Sequence, residues 1–200
     1  MGGMAPTRDL VLASGSPRRR RLLESAGFGF RTVAPETDEF PIAGETPDQL
    51  VVRLAEEKAR AVIDRVARDA IVLGVDTTVV LDDEAIGKPS GPEAAVEMVM
   101  RLAGRSHRVL SGYALLMGAA LVERDVVEST VTMKPITRAE AEAYVATGEP
   151  MDKAGAYGIQ GYGALMVRRV EGCYFNVMGL PLALLGRALR EVLVRREDAP

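Results

Sequence analysis

Near the start of the chain, four arginines follow a short apolar run and a pair of serines. The run Leu10–Ala13 is typical of a buried strand, and Ser14-Gly15-Ser16-Pro17 is typical of a turn into a helix. Ser16 is predicted to cap this helix, and Pro17 suits its first position, where an N–H would have no partner. Free N–H groups at a helix start attract anions, and guanidinium groups hold phosphates by parallel hydrogen bonds. The stretch therefore predicts a phosphate site, with a solvated basic face as the alternative.

Two charged residues lie inside apolar patterns. Asp76 interrupts Ile71–Leu81, an apolar stretch that predicts a central strand covered on both faces. A lone buried carboxylate is costly, so we expect a cation or a metal to meet Asp76, or the strand to open into a cleft. A satisfied structural aspartate is the alternative. Lys58 lies in the apolar stripe of a helix predicted from Thr46 to about Arg68, and its ammonium group either follows the apolar surface to solvent or points into a cleft.

Three loops carry further polar groups. Residues 34–41 are acidic and proline-rich, and they form either a surface turn or a supply of carboxylates for a divalent cation. Gly87-Lys88-Pro89 is a tight connection without the spacing of a P-loop. Residues 149–163 are rich in glycine, so their backbone is either a flexible loop or one that approaches a ligand closely.

Composition excludes several classes of protein. Hydrophobic residues make up 48% of the 200 residues and charged residues 26%, as in ordinary soluble domains. An aromatic content of 4% without Trp, with a net charge of −3, argues against a partner that is nucleic acid or a membrane surface. The single Cys173 and single His107 exclude an intramolecular disulfide and a Cys- or His-rich metal cluster. We see no signal peptide or membrane span, so a cytoplasmic location is expected.

The elements that must position these residues alternate along the chain. Besides those named above, we predict helical segments at 17–25, 91–104, 137–145 and 179–194, and strands at 30–33, 107–117, 121–133 and 164–170. The two long strands suggest an antiparallel ribbon, with His107 at its entrance as a surface or structural residue. No linker or repeat divides the chain, so we expect a single domain over 1–200, with frayed tails at 1–8 and 195–200.

These groups together suit phosphoric anhydride chemistry with a divalent ion. In such chemistry, cations neutralise phosphate charge and a carboxylate activates water. No serine or cysteine nucleophile has an obvious partner base in the sequence. The residues alone leave both a hydrolase and a nucleotide-binding module open.

The order and spacing of the motifs resemble the Maf nucleotide pyrophosphatases from Leu10 to about Leu189. The segments that carry the resemblance are residues 13–19, 57–59, 74–79, 87–89, 104–107, 152–161 and 179–182. The resemblance implies an α/β fold with a mixed twisted sheet flanked by helices and a central cleft between two lobes, similar to Ham1 proteins. It also implies hydrolysis of a nucleoside triphosphate to the monophosphate and pyrophosphate, with Mg²⁺ or Mn²⁺, in a homodimer. The implied role is the cleaning of nucleotide pools, with a link to septum formation.

Carried over to this sequence, the resemblance implies a role for each charged residue around Asp76. Asp76 is implied as the proton acceptor for the attacking water, and Lys58 and Lys88 as catalytic cations. Glu39 and Asp76 are the implied metal ligands. Because Asp76 cannot easily be a tight ligand and a base at once, its division between these roles stays open.

The remaining implied residues bind the substrate. Ser14, Arg18 and Arg19 are expected to hold it, whereas the next two arginines are expected on the solvated face. Arg18, Thr77 and Gln160 match positions associated with base selectivity. The Tyr-Gly-Ile-Gln form of the glycine-rich loop resembles the branch that cleaves dTTP and UTP. The alternatives are a pyrophosphatase for a methylated guanine nucleotide such as 7-methyl-GTP, and a non-catalytic nucleotide-binding regulator of cell division.

Overall fold

The computed structural model describes residues 8–194. Its central element is a seven-stranded mixed sheet. The strands are β1 (Leu10–Ala13), β2 (Arg31–Val33), β3 (Ile71–Leu81), β4 (Glu84–Ile86), β5 (Ser106–Met117), β6 (Ala120–Met133) and β7 (Val167–Gly172). Their order is β2-β1-β3-β5-β6-β7, and β4 pairs with β3 off this path. Strand β1 runs parallel to β2 and β3, and all other pairs are antiparallel. The expected mixed sheet and the antiparallel ribbon, β5 and β6, are confirmed.

Six α-helices accompany the sheet in the described part of the chain. They are α1 (Pro17–Ser25), α2 (Pro47–Arg60), α3 (Pro92–Leu102), α4 (Arg138–Val145), α5 (Tyr174–Val177) and α6 (Leu182–Val194). Between residues 8 and 194, none of the helices combines the length and apolar character needed to cross a membrane. The tails predicted to fray lie outside the described residues, apart from Arg8, whose guanidinium donates to the carbonyl of Val192 at 3.2 Å.

Helices α2 and α4 have the predicted side-chain caps, whereas α1 does not. Thr46 and Thr137 each begin a helix with the predicted capping box, in which the threonine hydroxyl and the side chain three residues later exchange hydrogen bonds with backbone N–H groups. Ser16 occupies the predicted N-cap position of α1, but the prediction that its side chain caps the helix is wrong, because that side chain makes no capping hydrogen bond. Instead, the Ser14 hydroxyl accepts from the Ser16 N–H at 3.2 Å and closes the turn before α1.

Helix α2 lies unusually close to the sheet because two glycines face it. A Cβ at Gly74 on β3 would lie 1.9 Å from the carbonyl oxygen of Ala55, and one at Gly112 on β5 would lie 2.4 Å from that of Val51. Gly112 pairs directly with Asp76 in the β3–β5 register. Paired residues of antiparallel strands point to the same face, so Asp76 faces α2 beside a residue that has no side chain.

Other predicted bounds are wrong by several residues. Helix α2 ends at Arg60 rather than near Arg68, and a short 3₁₀ turn, Ile63–Arg65, leads the chain towards β3. Strand β7 begins at Val167 rather than three residues earlier, because Tyr162–Met166 forms a 3₁₀ helix. A Cβ at Gly163 in this helix would lie 2.5 Å from the carbonyl oxygen of Gly158, so a close backbone contact, which no periodicity reveals, shapes this segment.

Candidate active site

A cleft of about 580 Å³ opens beside β3, where one edge of that strand has no partner strand among residues 8–194. Strand β1 pairs with β3 only as far as Gly74, and β4 pairs with it only from Val79. Asp76 and Thr77 lie in the window between them. All nine residues proposed for the site line this cleft: Ser14, Arg18, Arg19, Glu39, Lys58, Asp76, Thr77, Lys88 and Gln160.

At the bottom of the cleft, Lys58 joins two carboxylates. Its ammonium nitrogen donates to Asp76 Oδ1 at 2.5 Å and to Glu39 Oε1 at 2.6 Å. Lys58 and Asp76 are only 6% and 8% exposed. The expectation that a cation meets Asp76 is therefore confirmed, and the ammonium group of Lys58 points into the cleft rather than along the apolar surface to solvent.

Glu39 has a second cation, Lys88. Lys88 Nζ donates to Glu39 Oε2 at 2.8 Å, so each oxygen of this carboxylate accepts from a different lysine. Burial by itself would raise the pKa of Glu39, but the hydrogen bonds and charges of Lys58 and Lys88 outweigh it and lower the pKa to about 2. Glu39 is consequently ionised at neutral pH. We call Glu39, Lys58, Asp76 and Lys88 the carboxylate–lysine cluster.

The first turn of α1 divides its arginines between the cleft and solvent. The Arg19 guanidinium donates to the carbonyl of Gly179 at 2.9 Å and to Thr77 Oγ1 at 3.1 Å, so it is fixed beside β3. Burial lowers the pKa of Arg19, and the charge of Asp76 partly offsets this effect. Arg18 instead reaches Asp152, with Nη1 2.6 Å from Oδ2.

The next two arginines, Arg20 and Arg21, are exposed. Ser14 is buried under this turn, and its hydroxyl also accepts from Arg19 Nη1 at 3.4 Å. The strand, turn and helix start thus place Arg18 and Arg19 on the cleft.

The glycine-rich segment is wrapped around one carboxylate, that of Glu149. Its oxygens accept from the Tyr144 hydroxyl at 2.9 Å and from the backbone N–H groups of Tyr162 and Gly163 at 2.7 and 3.2 Å. A Cβ at Gly161 would lie 2.1 Å from Glu149 Oε2, so the wrapping requires glycine there. Sequence reasoning missed Glu149 and Tyr144, although the clustered glycines indicate that this backbone packs closely against another group of the protein or a ligand.

The same segment places Gln160 and Tyr157 on the cleft. Gln160 is exposed at its surface. The Tyr157 hydroxyl lies 2.7 Å from His107 Nε2, and both side chains are buried. Burial lowers the pKa of His107 to about 4, so the imidazole is neutral at neutral pH. The structural interpretation of His107 is therefore correct, and the surface interpretation is wrong.

The donor set fits a divalent cation that shares its coordination with a ligand. In residues 8–194, no group of three or more His, Cys, Asp or Glu side chains converges on one point. Two carboxylates, Glu39 and Asp76, do converge on the Lys58 nitrogen. Mg²⁺ is typically bound by one or two carboxylates, with substrate phosphates and water completing its shell. These two carboxylates are therefore suited to hold such an ion together with a phosphorylated ligand.

A mixed α/β sheet whose cleft gathers lysines and arginines around two carboxylates defines a protein built to handle a phosphorylated small molecule. Comparison with known sequences identifies the family within this class. The chain belongs to the Maf family, because residues 9–192 match the family model described as Maf-like protein. The resemblance inferred from the motifs is thereby confirmed.

Curated relatives share close to half of their residues with this chain. The dTTP/UTP pyrophosphatase of Symbiobacterium thermophilum is 50% identical over 176 residues, which cover 88% of this chain and 89% of that protein. The dTTP/UTP pyrophosphatase of Salmonella typhimurium is 47% identical over 173 residues, covering 86% and 87%. Among solved structures, a HAM1 protein from Coxiella burnetii matches with a TM-score of 0.50 at 15% identity, covering 92% of this chain and 100% of that chain. This last likeness supports the fold alone.

Proposed function

We propose that this protein hydrolyses dTTP and UTP to the monophosphate and pyrophosphate, and so removes these nucleotides from the cellular pool. The observation that carries the proposal is the carboxylate–lysine cluster, which lies in a cleft beside the arginines of α1. Relatives that are 50% and 47% identical bear the name dTTP/UTP pyrophosphatase, which gives the cluster its substrate class.

In this proposal, Asp76 is the general base. Water attacks the α or the β phosphorus, its proton passes to Asp76, and the bond from that phosphorus to the bridging oxygen breaks. The bridging oxygen leaves with the other phosphorus, so the products are the monophosphate and pyrophosphate. The 2.5 Å hydrogen bond from Lys58 fixes the orientation of the Asp76 carboxylate. A divalent cation would neutralise charge on the phosphates. Glu39 would be its tight carboxylate ligand and Asp76 a weaker one, because Asp76 cannot easily be a tight ligand and the base at once.

The arginines and the glycine-rich segment bind the remainder of the nucleotide. Arg18 and Arg19 supply guanidinium groups for the phosphates, and the Ser14 hydroxyl supports Arg19 from the turn before α1. Gln160, with Thr77 and Arg18, is assigned to recognition of the base. Gln160 is suited to this because an amide offers both a donor and an acceptor to a pyrimidine edge.

The decisive experiment is a panel of nucleoside triphosphates assayed at equal concentration with Mg²⁺, in which pyrophosphate and orthophosphate are measured separately. We expect dTTP and UTP to be the preferred substrates and pyrophosphate to be the primary product. Orthophosphate as the primary product would overturn the mechanism. A preference for 7-methyl-GTP would move the protein to the methylated-guanine branch, and saturable binding without turnover under any divalent ion would make it a nucleotide-binding regulator.

The proposal extends to the setting in which the enzyme works. We propose a single domain over 1–200 that acts as a cytoplasmic homodimer with Mg²⁺ or Mn²⁺. The continuous sheet from β2 to β7 supports the single domain. Light scattering coupled to size-exclusion chromatography tests the dimer, and turnover after chelation and re-addition of each metal tests the cofactor.

A further inference from the structure

The segment that carries Glu39 has almost no apolar support. Residues 34–45, which we call the Glu39 loop, contain no helix or strand, and none of them is buried. Its two large apolar side chains point to solvent, with Phe40 76% and Ile42 56% exposed. Core packing therefore does not hold this loop in place, although Glu39 must reach the bottom of the cleft.

Polar contacts hold the loop instead, and the strongest set comes from Arg53 on α2. Arg53 Nε and Nη2 lie 2.6 and 2.7 Å from the two oxygens of Glu45, which is a bidentate ion pair. Arg53 Nη2 also donates to the carbonyl of Phe40 at 3.1 Å. Glu45 in turn accepts from the Ile42 N–H at 3.2 Å, so the second half of the loop is closed on itself.

A bound nucleotide would compete with the contacts of Lys58 and Lys88 but not with those of Arg53. Lys58 and Lys88 hold Glu39 inside the cleft, where the phosphates of a nucleotide and a divalent ion would compete for both partners. Arg53 lies outside the lining of the cleft. Its helix is fixed to the sheet at Gly74 and Gly112, and the same helix carries Lys58.

We propose that Arg53 is a positioning residue that fastens the Glu39 loop to α2 and keeps Glu39 at the cleft while Lys58 and Lys88 engage the substrate. The fastening of the loop is independent of the activity, whereas its effect on turnover rests on the proposed function. Arg53 acts through Glu39 and touches no reacting atom.

The first test measures the loop itself, by amide hydrogen exchange of residues 40–45 in the whole protein without nucleotide. We expect Arg53→Ala to speed exchange in this segment at least tenfold while exchange in β3 and β5 stays as in the parent. Arg60→Ala is the matched control, because Arg60 lies on the same helix and pairs with Glu56 at 2.7 Å, away from the cleft. Unchanged exchange in Arg53→Ala, or the same change in Arg60→Ala, would overturn the proposal.

The second test asks whether Arg53 acts through Glu39. We expect Arg53→Ala to lower kcat/KM for UTP about 10- to 100-fold, as small misplacements of a catalytic group do, and to raise the Mg²⁺ concentration needed for half-maximal rate. In a Glu39→Gln background, the same substitution should add less than about twofold, because coupled residues are not additive. If the Glu39→Gln protein turns over too slowly to measure kcat/KM, the same comparison is made with the affinity for an α,β-methylene analogue of UTP in the presence of Mg²⁺.

The outcomes separate the two proposals. Full additivity of Arg53→Ala and Glu39→Gln would show that Arg53 acts on general stability and would overturn the positioning role. The two proposals can also fail separately. If exchange in the loop is faster in Arg53→Ala but the parent protein releases no pyrophosphate from any nucleotide, the fastening role of Arg53 stands and only the proposed function is overturned.

Discussion

The bottom of the cleft and its walls are built in different ways. At the bottom, Asp76 and Lys58 belong to regular elements that are pressed together at Gly74 and Gly112, and both side chains are buried. The walls are the Glu39 loop and residues 149–163, which contain only turns, irregular chain and 3₁₀ helices. Each wall is organised by hydrogen bonds to one carboxylate, that of Glu45 or Glu149. Core packing thus sets the positions of Asp76 and Lys58, while a few polar bonds set the positions of the two walls, which supply Glu39 and Gln160.

Asp76→Asn removes the proposed base from the bottom of the cleft and should have the largest effect. Loss of a general base costs a factor of about 10² to 10⁴ in rate, so we expect kcat to fall by that amount while nucleotide binding is retained. Pyrophosphate release and nucleotide affinity are the measurements. Asp83→Asn is the control, because Asp83 is exposed and pairs with Arg108 outside the cleft. Full turnover in Asp76→Asn would show that another group accepts the proton.

Gly74→Ala tests whether close packing positions the bottom of the cleft. The added methyl would lie 1.9 Å from a backbone oxygen of α2, which cannot move without shifting the helix. We expect a loss of about 1–3 kcal/mol in the free energy of unfolding, together with reduced kcat as Lys58 is displaced. Denaturant unfolding and turnover measure the two effects. Gly29→Ala, which introduces a methyl into open space, should leave both unchanged; equal behaviour of the two variants would refute the packing argument.

Glu149→Gln tests the wall formed by residues 149–163. An amide cannot accept all three hydrogen bonds of Glu149 in the same geometry, and a hydrogen bond to a charged group contributes about 1.5–3 kcal/mol. Since 1.4 kcal/mol corresponds to a factor of about ten in affinity, we expect KM for UTP to rise about tenfold, with a smaller change in kcat. Steady-state kinetics on UTP and dTTP decide this, with Glu171→Gln on the exposed edge of β7 as the control. A fall confined to kcat would place Glu149 with the chemistry instead.

The smallest expected effect is the pH dependence of stability that Glu39 contributes. Its pKa is about 2 in the folded protein against an ordinary 4.5, so Glu39 stabilises the fold above about pH 4.5 and loses this contribution as the pH falls towards 2. The difference in unfolding free energy between the parent and Glu39→Gln should therefore be constant near neutral pH and shrink below pH 4.5. Unfolding titrations at several pH values measure it. A difference that grows in acid would contradict the assigned direction.

Much of the fold could be predicted because the signals are local. The apolar run of β3 is found with its predicted bounds, Ile71–Leu81, and both threonine capping boxes occur where they were expected. The predicted Ser16 cap is absent because the turn before α1 uses the Ser14 hydroxyl instead. Helix α2 is shorter than predicted because the chain leaves the helix to enter β3. Helix α5 was not predicted, since four residues, Tyr174–Val177, carry too short a pattern to detect.

For the site, the chemical inventory can be read from the sequence: which cations and carboxylates interrupt apolar patterns, and in which order they occur. Which of these groups meet depends on the tertiary structure. Lys58 and Arg53 lie on one helix, yet the first joins Asp76 in the cleft and the second fastens a loop outside it. The reason is that this division depends on how closely α2 rests on the two glycines of the sheet and on where a distant loop returns, and neither is encoded in local spacing.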